Sequence, residues 1–313
     1  MTVLLILMIS IVVFVIAICF TRNCKVLTTK DTNSSITNTI YGTDKFVSKS
    51  GLNTILQDYY KKNMIDTLIP KTWKVHHTNF DSTIFDLSSL HPDTVLIAKK
   101  NIQQQTGLLL FRQSDVDINF LKKLEQEQYV VIQIFLKDPF IIDNRKTNIR
   151  VYVLVVVKDF QKNVYLYNDG FMYYTPDKYK YGTEPSSNIT TGYIDREVYI
   201  KNPLTLQDLF VYLRKNNYND SLLLNNIKKT IKFVMAACVN TIQKHNDTHY
   251  QLFGIDLQFD NKLDVKLIEI NKSPNLKPHD NGRDSKLKRE LQKQILGLVG
   301  ISKEKYDNFF MMI

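Results

Sequence analysis

Two short runs near the C-terminus carry acids whose spacing suits chemistry. They are Phe253-Gly254-Ile255-Asp256-Leu257-Gln258-Phe259-Asp260 and Leu267-Ile268-Glu269-Ile270-Asn271-Lys272-Ser273-Pro274. Both alternate apolar and polar, the period of a strand. Asp260-Asn261 between them is turn chemistry, so the runs are predicted to form an antiparallel hairpin. At strand period Val265, Leu267, Glu269 and Asn271 share one face, and Lys266, Ile268 and Ile270 take the other. Asp256 projects away from Ile255 and Leu257. In the register that brings the polar faces together, Asp256, Glu269 and Asn271 converge. Two carboxylates and an amide oxygen make a hard, oxygen-only site, which suits Mg²⁺ when phosphate oxygens complete the shell. The plain alternative is a hairpin with a solvated acidic face.

Cations lie upstream. A short apolar strand over 94–98 ends at Lys99 and Lys100, and a lysine at a strand end can reach phosphate as a point charge or snorkel to solvent. Lys146, Asn148 and Arg150 share one face of a strand that runs on through 151–157. Two cations flanking an amide suit a phosphate or carboxylate ligand, or form an exposed basic face. The apolar run 129–136 reads as a core strand.

The segment Glu269-Ile270-Asn271-Lys272-Ser273-Pro274, preceded by Gly254-Ile255-Asp256, resembles the metal-binding segment of the tubulin–tyrosine ligase-like family, whose members are ATP-grasp ligases. The resemblance runs from about residue 44 to 301 and is strongest over 129–179 and 250–276. It implies an α+β, ATP-grasp fold in which two sheet-containing lobes clasp ATP. It implies that Lys99 and Lys146 hold phosphates, that Thr106 and Gly107 belong to a loop covering them, and that Gln133, Ile134, Phe135 and Leu136 form the adenine hinge. Asn148 falls among the nucleotide-contacting positions, Arg150 orients the acceptor or a phosphorylated carboxylate, and Asp256, Glu269 and Asn271 hold Mg²⁺. The implied reaction is carboxylate–amine ligation through an acyl phosphate. A free amino acid (Glu, Gly or Tyr) would be joined to an acidic protein such as a tubulin-like tail, and no nucleic-acid partner is expected.

Several positions depart from the family pattern. Gln103, Gln104 and Gln105 stand where the covering loop has glycines, Asn148 replaces an acid, Tyr173 replaces an arginine that holds the amino acid's carboxylate, and Gly192 replaces an asparagine. Tyrosine cannot form an ion pair with a carboxylate. These departures motivate a second reading, a nucleotide-binding protein without ligase activity. A third is a basic module binding lipid or nucleic acid. The chain has no Walker A motif, no dinucleotide glycine triplet and no nucleophile elbow.

The elements that must position these residues follow from the rest of the chain. Its 313 residues bury a sizeable core, and a formal charge of +10 suits anionic partners. Cys19, Cys24 and Cys238 make no disulfide framework. Residues 3–20 are apolar apart from Ser10, long enough for a single-pass helix, which needs roughly 20 residues. Arg22, Lys25 and Lys30 follow that run and no cation precedes it, so the positive-inside rule places the domain on the cytoplasmic side. Sequons at Asn33, Asn188, Asn219 and Asn246 point towards a lumen, but chance sequons are expected in so Asn-rich a chain. The expected organisation is an anchor over 1–21, a polar linker over 22–43, a small region over 44–90 and the ligase-like domain over 91–313. Helical patterns occupy 44–60, 204–214, 222–242 and 285–299. Asn168-Asp169-Gly170 reads as a hairpin turn. His76, His77, His245 and His249 lack further ligands nearby in sequence and read as surface residues.

Overall fold

The computed structural model describes residues 26–28, 35–60, 62–102, 107–192, 196–278, 282–303 and 305–313. The expected anchor over 1–21 lies outside them, and among the described residues no helix is long and apolar enough to cross a membrane. The chain is α+β, as expected. Among the described residues twelve strands run in chain order: β1 (Val26–Thr28), β2 (Ser35–Thr37), β3 (Thr72–Lys74), β4 (Val95–Lys100), β5 (Leu108–Arg112), β6 (Tyr129–Ile134), β7 (Ile141–Ile142), β8 (Arg145–Lys158), β9 (Gln161–Tyr174), β10 (Thr248–Phe259), β11 (Val265–Lys272) and β12 (Phe309–Met311). They form two sheets. The larger follows the order β1-β2-β10-β8-β9-β12, with β11 pairing β10 and β7 pairing β8, and the smaller follows β3-β6-β4-β5.

In the small sheet, period 2 sorts the side chains cleanly. Leu96, Ala98 and Ile132 pack with Leu87, Leu121 and Leu124 of the helices Phe80–Ser88 and Ile118–Gln126. Ile97, Lys99, Gln133 and Phe135 turn the other way, into a cleft. In the large sheet Ile149, Val151, Phe253, Ile255 and Leu257 join the main core, with Ile227, Ile231 and Val234 of the helix Asp220–Cys238. Capping sets where the helices begin. Thr205 and Asp208 exchange bonds at the head of Leu206–Lys215, and Asn219 accepts from Leu222 N–H at 3.0 Å to start Asp220–Cys238. Part of the polar stretch 22–43 is structured. β2 pairs in parallel with β10, and Ile36 and Ile40 are buried.

Two local expectations are corrected. The hairpin of β10 and β11 forms, but Leu257 pairs Leu267 and Asp256 pairs Glu269, so Ile268 is a bulge. A bulge adds one residue and shifts the alternation. Val265, Leu267 and Ile270 therefore face the core, while Ile268, Glu269 and Asn271 line the cleft. Secondly, Asn168-Asp169-Gly170 is no turn, because β9 runs straight through it. The extra residues are absorbed where the β8–β9 register shifts between Val151 and Val153. Gly170 is needed for a different reason, since a Cβ there would lie 2.2 Å from the Arg150 carbonyl oxygen. The actual turn is Asp159-Phe160, both at positive φ.

Candidate active site

A cleft of about 880 Å³ opens between the two sheets, within the range of small-molecule sites. Its lining brings together most of the residues singled out from the sequence: Lys99, Gln133, Ile134, Phe135, Leu136, Lys146, Asn148, Arg150, Asp256, Glu269 and Asn271. Thr106 lies outside the described residues. Gly107 is not on the cleft wall. Its missing Cβ makes room for Ile102, whose Cδ1 would lie 2.7 Å away.

The acids sit on neighbouring strands in direct register. Asp256 opposes Glu269, and both side chains line the cleft. Asn271 donates Nδ2–H to Asp256 Oδ2 at 3.2 Å, which closes the trio. Each carboxylate already has a cation. Arg150 grips Asp256 with two bonds, Nε to Oδ1 at 2.7 Å and Nη2 to Oδ2 at 2.6 Å. Such a fork is the strong form of the pair. The guanidinium also lies 4.9 Å from the centre of the Tyr173 ring. Burial opposes the charge on Arg150, but Asp256 outweighs it and the pKa rises well above the ordinary value. Glu269 faces Lys49, Nζ to Oε2 at 3.5 Å. Lys49 begins the helix Lys49–Tyr59. No local spacing in the sequence points to it, because only tertiary packing brings it to the strand.

The lysines are the unusual feature. Lys99 and Lys146 are each 4% exposed, so neither snorkels to solvent. Lys99 donates to Gln133 Oε1 at 2.7 Å, and Gln133 is fixed in turn by donating to Thr72 Oγ1 at 2.8 Å. Lys146 Nζ lies 4.0 Å above the Phe135 ring. Among the described residues neither has a carboxylate within ion-pair distance. Burial pushes Lys99 down to about 8, with Glu269 pulling it up and Lys49 pushing it down. Burial, then the charge on Lys99, pushes Lys146 down to about 7. Beside them Asn148 Oδ1 is buried with no hydrogen-bond partner among the described residues. Buried cations and an orphan amide oxygen are costly without a ligand.

The strand expected to serve as the adenine hinge is partly committed to its own sheet. Ile134 N–H donates to Lys71 O at 2.9 Å and Phe135 N–H to Val95 O at 3.0 Å. Outside the cleft, His76 and His77 are not isolated. Glu125 of the helix Ile118–Gln126 places its Oε1 3.2 Å from His77 Nδ1, on the surface. His245 and His249 stack on each other at 3.8 Å and stand apart from the cleft.

A family model, that of the tubulin-tyrosine ligase family, matches residues 35–307. Among individual proteins, tubulin polyglutamylase TTLL7 of Xenopus tropicalis is 24% identical over 259 residues, 73% of this chain and 27% of that one. Tubulin polyglutamylase TTLL6 of Homo sapiens is 25% identical over 200 residues, 56% of this chain and 22% of that one. Tubulin polyglutamylase TTLL5 of Mus musculus is 24% identical over 206 residues, 58% of this chain and 15% of that one. The aligned part therefore makes up no more than 27% of any of these three relatives.

Proposed function

Because the chain belongs to the tubulin-tyrosine ligase family, we propose that its cleft is an ATP-grasp site for Mg²⁺-dependent ligation of a free amino acid to an acidic protein. The relatives are named tubulin polyglutamylases, which favours glutamate as the amino acid and a tubulin-like tail as the acceptor. One observation carries the reading. Asp256, Glu269 and Asn271 meet on the wall of a cleft that also buries two lysines with no carboxylate partner among the described residues.

The residues present fit these ligands. Lining cations are Lys49, Lys99, Lys146, Arg150, Arg196 and Lys288, and lining acids are Asp256, Glu269 and Asp284. Among the described residues these six cations and three acids leave the lining a net +3 when all are charged, which suits a polyphosphate. Lys99 and Lys146 would regain their full charge against phosphate oxygens, and Asn148 lies between Lys146 and Arg150 on the same face of β8. Asp256, Glu269 and Asn271 supply the oxygen donors for Mg²⁺. When bound, ATP supplies the phosphoryl group that activates a carboxylate as an acyl phosphate, and Mg²⁺ offsets the charge on the phosphates. Arg150 acts first on the protein itself, holding Asp256 in place. Its Nη1 takes no part in that pair and is the end offered to a substrate carboxylate.

The test is ATP-dependent incorporation of radiolabelled glutamate, glycine or tyrosine into acidic peptides, with Glu269→Gln as the control. Incorporation that disappears in the variant supports the ligase. A second reading is favoured by Tyr173, whose ring covers Arg150 and lies 3.3 Å from the Cβ position of Gly192. It predicts nucleotide binding without incorporation. A basic module predicts binding to anionic vesicles or nucleic acid that survives Glu269→Gln and falls steeply with salt. We further read the apolar run 3–20 as a single-pass anchor leaving the domain on the cytoplasmic side. Resistance to carbonate extraction, with the domain open to protease in intact cytoplasm-facing vesicles, tests that reading.

A further inference from the structure

Lys49 joins two parts of the cleft that are far apart in sequence. Its side chain is 11% exposed and its ammonium stands 3.5 Å from Glu269 Oε2. The same ammonium donates to Ile102 O at 3.1 Å. Its backbone N–H donates to Asn101 Oδ1 at 2.9 Å, and the Ser48 hydroxyl donates to that oxygen at 3.3 Å. Asn101 and Ile102 open the segment that the family resemblance assigns to covering the phosphates. That segment lacks the glycines that let backbone N–H groups approach an anion, and Gly107 is occupied with accommodating Ile102. A lysine is thus fixed between the start of that segment and one of the two carboxylates proposed for Mg²⁺.

We propose that Lys49 is the resident counter-ion of Glu269, a positioning residue that competes with a divalent cation for that carboxylate and, when no metal is bound, adds its charge to that of the two buried lysines for the phosphates. This rests on the nucleotide and Mg²⁺ reading above. Charges compete at this carboxylate. Lys49 and a metal ion seek the same carboxylate, so the lysine weakens metal binding. Lys49 and a polyphosphate attract each other, so the lysine strengthens nucleotide binding when no metal is present. A residue that only props up the fold would affect both in the same direction.

The test is calorimetric binding of a β,γ-imido ATP analogue, in EDTA and in excess Mg²⁺, to the unmutated chain and to Lys49→Met. In EDTA the variant is expected to bind about five-fold more weakly, the scale of one partly exposed ion pair. The enhancement of affinity by Mg²⁺ is expected to grow by about the same factor, because Glu269 no longer has a rival cation. Lys49→Arg keeps the charge and should leave both quantities as they are. In a Glu269→Gln background, Lys49→Met should no longer change the Mg²⁺ enhancement. Should Lys49→Met lose its cooperative thermal transition, Lys49→Gln carries the same expectation. Equal weakening under both conditions, or no change in either, overturns the role of Lys49 while leaving the site itself standing. Failure of the unmutated chain to bind the analogue under either condition sinks the nucleotide reading, and this inference with it.

Discussion

Replacing Lys146 by methionine should make the protein more stable while removing a ligand contact. The side chain is 4% exposed and has no carboxylate partner among the described residues. Burial lowers its pKa from the ordinary 10.5 to about 7. At about 1.4 kcal/mol per pH unit, carrying that charge in the fold costs up to about 5 kcal/mol below pH 7. Local relaxation reduces the recoverable part, and exchanges of buried ions for apolar groups have returned about 1–4 kcal/mol. The sign with pH follows from proton counting. Between about 7 and 10.5 the unfolded chain binds more protons at this site than the folded one, so this lysine makes stability rise with pH across that window. Lys146→Met removes that slope. Urea denaturation at pH 6, 8 and 10 should show the variant's gain largest at pH 6 and nearly gone at pH 10. A variant less stable than the parent at pH 6, or a gain that does not change with pH, would refute the claim that this cation is held at the expense of the fold.

Other expectations follow from single contacts. Asp169→Asn should stabilise the protein at pH 7 by about 1–3 kcal/mol, since burial raises the Asp169 pKa to about 6 and an amide oxygen can still accept from Gly170 and Gln207 N–H. As a carboxylate with a raised pKa, its penalty vanishes as pH falls below about 4, so denaturation at pH 3.5 should show no gain. Gly170→Ala should cost at least about 2–4 kcal/mol or abolish folding, because the new methyl meets the Arg150 carbonyl oxygen at 2.2 Å. Thermal melting checks this, and a loss under about 0.5 kcal/mol would contradict it. Gln133→Leu should destabilise by about 2–3 kcal/mol, since it strips Lys99 of its acceptor and Thr72 of its donor. Thr205→Ala should cost about 1 kcal/mol through the lost helix cap.

Much of the site was legible because it lies on strands. Period 2 alone places Lys146, Asn148 and Arg150 on one face and Asp256 opposite its neighbours, and the structure keeps that arrangement. What escaped was whatever breaks the period or comes from elsewhere in the chain. The bulge at Ile268 moves Ile270 to the core side, and nothing in Leu267-Ile268-Glu269 distinguishes a bulged isoleucine from a regular one. Asn168-Asp169-Gly170 looked like a turn because glycine also serves close backbone approaches, and here it serves the carbonyl of Arg150. The true turn at Asp159-Phe160 uses two residues without glycine at positive φ, which propensity does not flag. Lys49 is separated from Glu269 by 220 positions and reaches it only because a helix packs beside β11. The fork between Arg150 and Asp256 is hidden for a similar reason, since the two lie 106 positions apart and only the β8–β10 register sets them opposite each other.

The central claim is that Asp256, Glu269 and Asn271 together hold a divalent ion for a nucleotide bound against Lys99 and Lys146. Its most direct test is a crystal grown with Mn²⁺ and a β,γ-imido ATP analogue, with the metal located by anomalous scattering. The account predicts a peak coordinated by the carboxylates of Asp256 and Glu269 and the amide oxygen of Asn271, with the phosphates beside the two buried lysines. Nucleotide bound in the cleft with the metal elsewhere, or with no metal at these three side chains, would contradict it.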